Sequence, residues 1–408
     1  MNDEIEKFVI EKRNELSKEL YDFWSIQKQE IYSELYNQIN GLNENIVQYL
    51  NYKVQNSISE LEQNYLRYQD FFRLKNFFEE NNLNETPRII FLGIPEHGNI
   101  GDHAIVCGEE NFLRKNFPNV NYIFLSWRCM EENMIYLKTQ INSKDIIAIQ
   151  GGGFLGTLWE NEQEKLNLAL QNFKNNPIFI FPQTFWSDAE ENEKNILESF
   201  GHEMQKCVSI NVCLREKASL QRFKTFYPNV HAILVPDMAL CINVNFPQSL
   251  KNDILLCFRK DKEKMGEYED TIKELIEEKK YSYKCISTVN DGKILYPYGE
   301  KYVWNKLVEF SKARLVITDR LHGMIFSAIV GTPCIAFNNS SGKIRGVHSW
   351  LNMSNNVCMV SNLNDLKKKF EEMLYKTPER FVVNAGYYTE LLKCLNEYIF
   401  EQYANKMN

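Results

Sequence analysis

From residue 88 onward the chain alternates short, almost continuously apolar runs with amphipathic stretches, and no other feature restricts the fold as strongly. Short apolar runs separated by helical patterns are typical of βαβ units, in which a parallel sheet is covered on both faces. The first series of predicted strands consists of Arg88–Leu92, Asp145–Ile149, Pro177–Phe181, Ile210–Leu214 and Ala232–Val235. The first of these strands is followed by a glycine-containing loop and by a helix predicted from about Asp102.

A break in the pattern near residues 246–253 separates this series from a second one of the same kind. The second series has predicted strands at Ile254–Phe258, Tyr283–Ser287, Leu315–Thr318 and Cys334–Phe337, and predicted helices at Tyr268–Lys279, Val303–Lys312, Asn364–Leu374 and Tyr388–Tyr403. The sequence therefore predicts an α/β protein with two Rossmann-like domains, residues 85–248 and 249–408, after an N-terminal helical region, residues 1–84. A ligand should bind in the cleft, outside the carboxyl ends of the strands.

The N-terminal region is predicted to be helical throughout. Residues 1–80 contain no proline and a single glycine, Gly41. Their apolar residues recur roughly every 3.7 positions, a helical spacing longer than that of a left-handed coiled coil. The region either packs on the rest of the chain or on a sister subunit, which would give a homo-oligomer, or docks the protein on membrane-bound machinery. Its aromatic end, Phe71, Phe72, Phe77 and Phe78, should be buried.

Composition excludes several classes of function. The formal net charge is -7, so the chain lacks the basic footprint of a general nucleic-acid-binding protein. Its ten cysteines are scattered without a C-x-x-C pair, which predicts neither a metal site nor a disulfide framework. The N-terminus carries Asp3 and Glu4 rather than a signal peptide, and the apolar stretch 321–337 is too short and too interrupted to span a bilayer. We expect a cytoplasmic protein.

The first predicted strand is followed by the loop Gly98-Asn99-Ile100-Gly101-Asp102-His103. Its glycines permit a tight turn, and the N–H groups of the following helix are available to a ligand. Asp102 is either the N-cap of that helix or a functional group, which would bind an acceptor substrate or transfer a proton.

A second glycine loop, Gly151-Gly152-Gly153-Phe154-Leu155-Gly156, matches G-x-G-x-x-G formally. A dinucleotide site would require an acidic residue at the end of the next strand, where Gln183 stands instead. We therefore interpret this segment as a glycine-rich turn that lines the cleft and not as an NAD site.

A third loop, Asp319-Arg320-Leu321-His322-Gly323, follows a predicted strand of the second series. Arginine binds carboxylate or phosphate through two parallel hydrogen bonds, and histidine exchanges a proton near neutral pH. The alternatives are a structural ion pair for Arg320 and a core position for His322. The run Ser341-Gly342-Lys343 does not form a P-loop, because Phe337 occupies the first glycine position.

Taken in order, these segments resemble the polysaccharide pyruvyl transferase family over roughly residues 88–360. The matching residues are Gly98–Asp102, Gly151–Gly153, Pro182-Gln183, Arg215–Leu220, Pro236-Asp237 and Thr318–Gly323. One departure is Phe154, where the family commonly has asparagine or serine, and this bears on the identity of the acceptor.

The resemblance implies a glycosyltransferase-B-like pair of domains that binds phosphoenolpyruvate as co-substrate, without a cofactor or a metal. It implies that the donor site is formed by Arg215, Arg320, Leu321 and His322. The expected cleft and acceptor-side residues are His97, Gly98, Asn99, Gly101, His103, Gly151, Gly152, Gly153 and Gln183. The acceptor would be a saccharide, typically a lipid-linked repeat unit of an exopolysaccharide or capsule, which would place the protein in the cytoplasm or at the inner face of the membrane.

Ketal formation requires a proton at the methylene carbon of the donor, and His322 is our candidate acid. The base that activates the sugar hydroxyls is Asp102, His97 or His103, and we take His322 and Asp102 as the candidate catalytic pair. Two other functions fit parts of the pattern. A nucleotide-sugar-dependent glycosyltransferase would bind a nucleoside diphosphate, and a non-catalytic scaffold would use the N-terminal helices to assemble other enzymes.

Overall fold

A computed structural model describes residues 24–25, 27–35, 44–81, 88–187, 194–246, 253–260, 268–338, 342–351 and 354–404. By internal contacts the chain divides into Met1–Phe72 and Arg73–Asn408. Within the first unit, residues 27–35 are helical, and Lys28 forms an ion pair of 3.0 Å with Glu62 of a long helix, α1 (Glu44–Glu80). The boundary at Phe72 lies upstream of the predicted residue 84, because the last two turns of α1 carry the buried residues Leu74 and Phe78 into the core of the second unit.

The aromatic end of α1 is divided between core and solvent. Phe78 is buried and Phe77 partly buried, whereas Phe71 and Phe72 are exposed. All four residues were predicted to be buried, but only Phe77 and Phe78 are at least partly buried.

The first Rossmann-like half is a seven-stranded parallel sheet covered by helices. Its strands are β1 (Arg88–Ile94), β2 (Asn121–Ser126), β3 (Ile146–Ile149), β4 (Gly152–Gly156), β5 (Pro177–Trp186), β6 (Ser209–Leu214) and β7 (His231–Leu234). Its helices are α2 (Ile100–Asn116), α3 (Trp127–Glu132), α4 (Met134–Gln140), α5 (Glu160–Phe173), α6 (Lys194–Lys206) and α7 (Lys217–Phe226). The strand order is β2-β1-β3-β5-β6-β7, with β4 paired to β5, so the direction of winding reverses between β1 and β3.

The second half repeats this winding in a five-stranded parallel sheet of order β12-β11-β10-β8-β9. Its strands are β8 (Ile254–Cys257), β9 (Tyr283–Cys285), β10 (Leu315–Thr318), β11 (Cys334–Phe337) and β12 (Val357–Val360). Its helices are α8 (Glu269–Glu278), α9 (Gly299–Ser311), α10 (Leu321–Val330), α11 (Lys343–His348), α12 (Leu363–Leu374) and α13 (Thr389–Ala404). The predicted fold class, two Rossmann-like domains of glycosyltransferase-B type with an N-terminal helical region, is confirmed.

The central strands are buried on both faces, which explains their nearly continuous apolar sequences. A polar exception lies at the start of the first sheet, where Arg88 and Asp145 are buried together. Arg88 Nε donates to Asp145 Oδ1 at 2.8 Å and Arg88 Nη2 donates to Asp145 Oδ2 at 2.7 Å. This bidentate pair ties the beginnings of β1 and β3 together.

A seam of main-chain hydrogen bonds joins the two halves beside the cleft. The amide of Ile100 donates to the carbonyl of Thr288 at 2.8 Å, and Asn290 N–H donates to Gly98 O at 2.8 Å. A further bond joins Ile294 N–H to Glu96 O at 3.1 Å. Gly98 is required in this seam because a Cβ there would lie 1.9 Å from the carbonyl oxygen of Asn290.

The last helix returns to the first half. Tyr398 of α13 packs edge-on against Phe179 of β5, with ring centroids 5.4 Å apart, and its hydroxyl contacts that of Ser209. The C-terminal helix, assigned from the sequence to the second domain, thus helps to cover the first sheet.

Candidate active site

The two sheets meet at the carboxyl ends of their strands, where each has its switch point. In the first half the loops after β1 and β3 carry Gly101 and Gly151, and in the second half the loop after β10 carries Arg320 and His322. Open α/β sheets bind ligands at such switch points. Residues of both halves therefore form one candidate site.

His322 is held between the halves at the first turn of α10. Its imidazole packs directly on the backbone of Gly101, since a Cβ there would lie 2.1 Å from Nδ1. Nε2 is 3.9 Å from Asp237 Oδ2 and has no hydrogen-bond partner among the described residues. Burial lowers the pKa of His322, and this effect exceeds the opposing influence of the Asp237 and Asp102 carboxylates. The imidazole is therefore neutral at pH 7 in the unliganded protein, with one nitrogen lacking a partner.

Arg215, only 2% exposed, follows β6 and is fixed by neighbouring acids. Nη1 donates to Asp237 Oδ2 at 2.7 Å, while Nε donates to Thr184 Oγ1 at 2.9 Å and to Glu216 Oε1 at 3.1 Å. Nη2 points to Gly153, where an added Cβ would lie 3.1 Å away. Arg215 thus has one nitrogen directed at the cleft, and the rest of its guanidinium is immobilised.

Asp237 connects Arg215 to His322, and the sequence analysis assigned it no role. Its Oδ2 serves both residues, while Oδ1 accepts the N–H of Ala239 at 2.9 Å. It stands three positions after the end of β7, and Arg215 follows the end of the neighbouring β6 directly. The parallel placement of both residues after neighbouring strands was the available signal that they meet.

Lys343 is a second residue that was not predicted for the site, since it was considered only within the segment Ser341-Gly342-Lys343, which does not form a P-loop. It stands at the start of α11, and its Nζ is 3.9 Å from the Cβ position of Gly153. The cationic atoms of Arg215 and Lys343 therefore lie within about 4 Å of the same point. Lys343 also contributes to the lowered pKa of His322, after burial and Arg215.

The first loop contributes differently from the prediction. Asn99, not Asp102, is the N-cap of α2, because its Oδ1 accepts the N–H of Gly101 at 3.2 Å. Asn99 Nδ2 also donates to Asp102 Oδ2 at 2.7 Å, and His97 Nε2 is 3.6 Å from the same oxygen. Asp102 is therefore a partly exposed carboxylate of the first helical turn, available for a role other than capping.

The three candidate bases are placed unequally. His103 is buried, with Nε2 bonded to the carbonyl of His97 at 2.8 Å, and burial lowers its pKa. His97 is exposed, but its Nδ1 accepts the N–H of Asn99 at 3.3 Å while Nε2 faces Asp102. Asp102 is partly exposed, and its negative charge opposes the effect of burial on the pKa of His322.

The segment Gly151–Gly153 was predicted to be a glycine-rich turn, but part of it belongs to a strand. Gly152 begins β4, which pairs in parallel with β5 at Gln183. Gln183 is completely buried and bridges backbone groups: its Nε2 donates to Gln150 O at 2.7 Å and its Oε1 accepts the N–H of Phe154 at 3.2 Å. Gln183 therefore ties β4 to the end of β3 behind the cleft, with both ends of its amide bonded to the backbone.

Glu109, which the sequence analysis did not single out, supports the same triplet. Its Oε1 accepts the N–H of Gly151 at 2.8 Å in a fully buried setting, and burial raises its pKa.

Arg320 and Leu321 lie at the other side of His322. Arg320 is nine-tenths buried, and its Nε donates to Phe258 O at 3.3 Å, at the end of β8. Within the described part of the chain, no hydrogen bond or ion pair connects Arg320 with Arg215, His322 or Asp237. Leu321 belongs to the apolar core. The structural ion pair considered for Arg320 is not present among the described residues.

In the described part of the chain no group of three or more His, Cys, Asp or Glu side chains is arranged to hold a metal ion. The helices described there include none that is long and apolar enough to cross a bilayer.

Comparison with known proteins agrees with this geometry. A family model described as polysaccharide pyruvyl transferase matches residues 99–341. General stress protein 30 of Bacillus subtilis is 32% identical over 309 residues, which cover 72% of this chain and 88% of that protein. Pyruvyl transferase 1 of Schizosaccharomyces pombe is 25% identical over 292 residues, covering 65% of this chain and 70% of that protein.

Among solved structures, an uncharacterised protein of Klebsiella pneumoniae is similar with 18% identity and a TM-score of 0.49, covering 72% of this chain and 98% of that one. The matched family region contains the strand-end loops that carry Gly101, Gly153, Arg215, Asp237 and His322. The chain belongs to the polysaccharide pyruvyl transferase family.

Proposed function

We propose that this protein transfers the pyruvyl group of phosphoenolpyruvate to two hydroxyls of a saccharide, forming a cyclic ketal and releasing phosphate. The observation that carries this proposal is the convergence of Arg215 Nη2 and Lys343 Nζ on the backbone of Gly153, with His322 in the same cleft. Phosphoenolpyruvate bears a carboxylate and a phosphate on one carbon, so it requires two or more cationic partners. Arg320 supplies a further guanidinium at the edge of the site.

The reaction begins with protonation of the methylene carbon. His322, as imidazolium, gives its proton to C3 of the donor, which becomes a methyl group and leaves C2 electrophilic. The oxygen of one sugar hydroxyl then bonds to C2 as Asp102 takes its proton. The second hydroxyl bonds to C2 as the C2–O bond to phosphate breaks, and its proton leaves with the phosphate. The proton on Asp102 is returned to His322, which restores both groups.

The residues around His322 and Asp102 favour the roles of acid for His322 and of base for Asp102. Asp237 sits 3.9 Å from His322 Nε2 and is already engaged by Arg215, so it stabilises an imidazolium without taking its proton. His97 and Asn99 orient Asp102 through its Oδ2. The acceptor is a lipid-linked repeat unit of a surface polysaccharide, which the protein modifies in the cytoplasm or at the inner face of the membrane, with its N-terminal helices available for assembly.

The test is phosphate release from phosphoenolpyruvate with a panel of lipid-linked and synthetic glycosides, in the presence of a chelator. Donor affinity is measured by calorimetry, with uridine diphosphate as the control ligand. We expect donor binding without divalent metal and no binding of the nucleotide. Binding of the nucleotide with no binding of phosphoenolpyruvate would instead support a nucleotide-sugar glycosyltransferase.

Variants then separate the acid from the anion contacts. His322→Ala should leave much of the donor affinity and lower turnover by about 10²–10⁴-fold. Lys343→Met and Arg320→Lys should mainly weaken donor binding, because one loses a charge and the other the planar guanidinium. A His322→Ala protein with normal turnover at saturating donor would refute the assignment of the acid.

A further inference from the structure

Helix α11 of the second half reaches across the cleft and docks on the turn that carries Arg215. The contact is close at Gly346, where a Cβ would lie 2.5 Å from Cγ and 2.7 Å from Cβ of Glu216. Only a residue without a side chain permits this approach. The helix backbone is thereby seated on Glu216.

Glu216 is a rigid platform for this contact. It is almost fully buried, and its carboxylate accepts hydrogen bonds from Thr184 Oγ1 at 2.6 Å and Ser219 Oγ at 2.8 Å. Arg215 Nε bonds the same carboxylate at 3.1 Å. A helix that rests on Glu216 is therefore held relative to the Arg215 guanidinium.

A second contact fixes the other end of the segment. Trp350, in the turn Ser349–Leu351 after α11, donates its Nε1–H to the main-chain carbonyl of Arg215 at 2.7 Å. Its ring also packs against Tyr387, with centroids 5.1 Å apart. The indole thus connects the second half to the residue whose guanidinium faces the cleft.

Lys343 is the first residue of this same helix. With Gly346 and Trp350 both bound to the Arg215–Glu216 turn, the position of α11 determines where the Lys343 ammonium lies relative to the guanidinium. The side chains of Arg215 and Lys343 belong to different halves of the molecule. Both can therefore lie beside Gly153 only if α11 is docked in this way.

We propose that Trp350 is a positioning residue, whose hydrogen bond to the Arg215 carbonyl holds α11 and places Lys343 beside Arg215 to form the anion site. This inference deepens the proposed function and rests on it for the identity of the donor. It concerns the assembly of the site, not the chemistry, and so is tested with anions in general.

The experiment is a double-mutant cycle read by calorimetric titration with inorganic phosphate and, separately, with phosphoenolpyruvate. Trp350→Phe keeps an aromatic ring near Tyr387 but removes the N–H donor together with part of the indole ring, a loss of ring that the control must match. Lys343→Met removes the charge that Trp350 is proposed to place. Trp304→Phe is the matched control, because Trp304 is 50% exposed and packs on Phe246.

Loss of one neutral hydrogen bond of typical strength should weaken phosphate binding by about 5-fold in Trp350→Phe. The thermal midpoint should stay near that of Trp304→Phe, which should bind like the unaltered chain. On the Lys343→Met background, Trp350→Phe should change affinity by less than about 2-fold, since the residue it positions is gone.

Unchanged affinity in Trp350→Phe would overturn the proposal, and so would an equal loss on both backgrounds, which would mean that Trp350 acts on Arg215 alone. No phosphate binding by the unaltered chain would also overturn it. If phosphate shows the expected cycle but phosphoenolpyruvate neither binds nor turns over, the positioning role stands and the proposed donor is wrong.

Discussion

Replacing Gly101 by alanine should displace the side chain of His322 and so lower turnover, although His322 itself is unchanged. The added methyl would lie 2.1 Å from Nδ1, 2.5 Å from Cγ and 2.9 Å from Cβ of His322. Ordinary contact requires about 3.4 Å, so the imidazole must retreat by more than about 1 Å. The main chain of α2 cannot yield easily, because the amide of Ile100 is bonded to Thr288 in the seam.

Two opposing terms set the effect on stability. Alanine gains up to about 1 kcal/mol over glycine within a helix, whereas overpacking a tight site costs about 1–3 kcal/mol. The net destabilisation should therefore be about 0–2 kcal/mol, too little to unfold the protein. A misplacement of about 1 Å can lower the rate by about 10²-fold, and we expect a loss of that order in turnover.

The assay is turnover at saturating donor, beside urea unfolding of the same samples. Gly386→Ala is the control, since Gly386 lies in an exposed turn where the nearest atom to a new Cβ is Asn384 Oδ1 at 3.1 Å. Gly101→Ala should have little further effect when His322 is already alanine. Turnover within about 3-fold of the unaltered chain, or an equal loss with and without His322, would refute the reasoning.

Three further predictions follow from buried and boundary residues. Near pH 8 the phosphate of the donor is dianionic, and its binding should be accompanied by proton uptake. Burial lowers the pKa of His322, so the imidazole is neutral in the free protein. A bound dianion raises that pKa again, so the imidazole takes up a proton. Calorimetry in buffers of different ionisation enthalpy measures this proton uptake. The affinity for the donor should rise as the pH falls from about 8 to 7. Proton uptake that persists in His322→Ala would contradict the assignment of the proton to His322. Asp145→Asn should lower the free energy of unfolding by about 3–5 kcal/mol, because it leaves the buried Arg88 guanidinium without its anion; denaturant unfolding tests this, and a loss below about 1 kcal/mol would contradict it. A chain starting at residue 82 should be less stable in the same assay than one starting at Arg73, since only the longer chain keeps Leu74 and Phe78 in the core, and equal stability of the two would exclude that role.

The central strands could be predicted from the sequence because they are buried on both faces. Their apolar runs stand out against the helices, and β10 and β11 have the predicted bounds. The strands β2 and β12 were missed, and each lies at the edge of its sheet. Edge strands bury less surface and need fewer consecutive apolar residues, so Asn121–Ser126 and Val357–Val360 gave a weaker signal.

The candidate residues named from the sequence lie in motifs that follow a predicted strand, among them Gly101, Arg215 and His322. Lys343 was not named, because it was considered only as part of a P-loop, whereas its position depends on the docking of its helix on Glu216, far away in the sequence. The structural role of Gln183 likewise depends on backbone groups of two neighbouring strands, which no local pattern reports.

The seam beside the cleft also defines how the two halves are held together. Main-chain bonds from Ile100, Asn290 and Ile294 tie the loop after β1 to the second half along one side. Separate connections between the halves are the indole bond of Trp350, the packing of Gly346 and the contact of Tyr398 with Phe179. The two cations at Gly153 and the contact of His322 with Gly101 are therefore held by different connections between the halves, the cations by the docking of α11 and the imidazole beside the seam. A substitution that loosens α11 should disturb the anion site and leave His322 on Gly101.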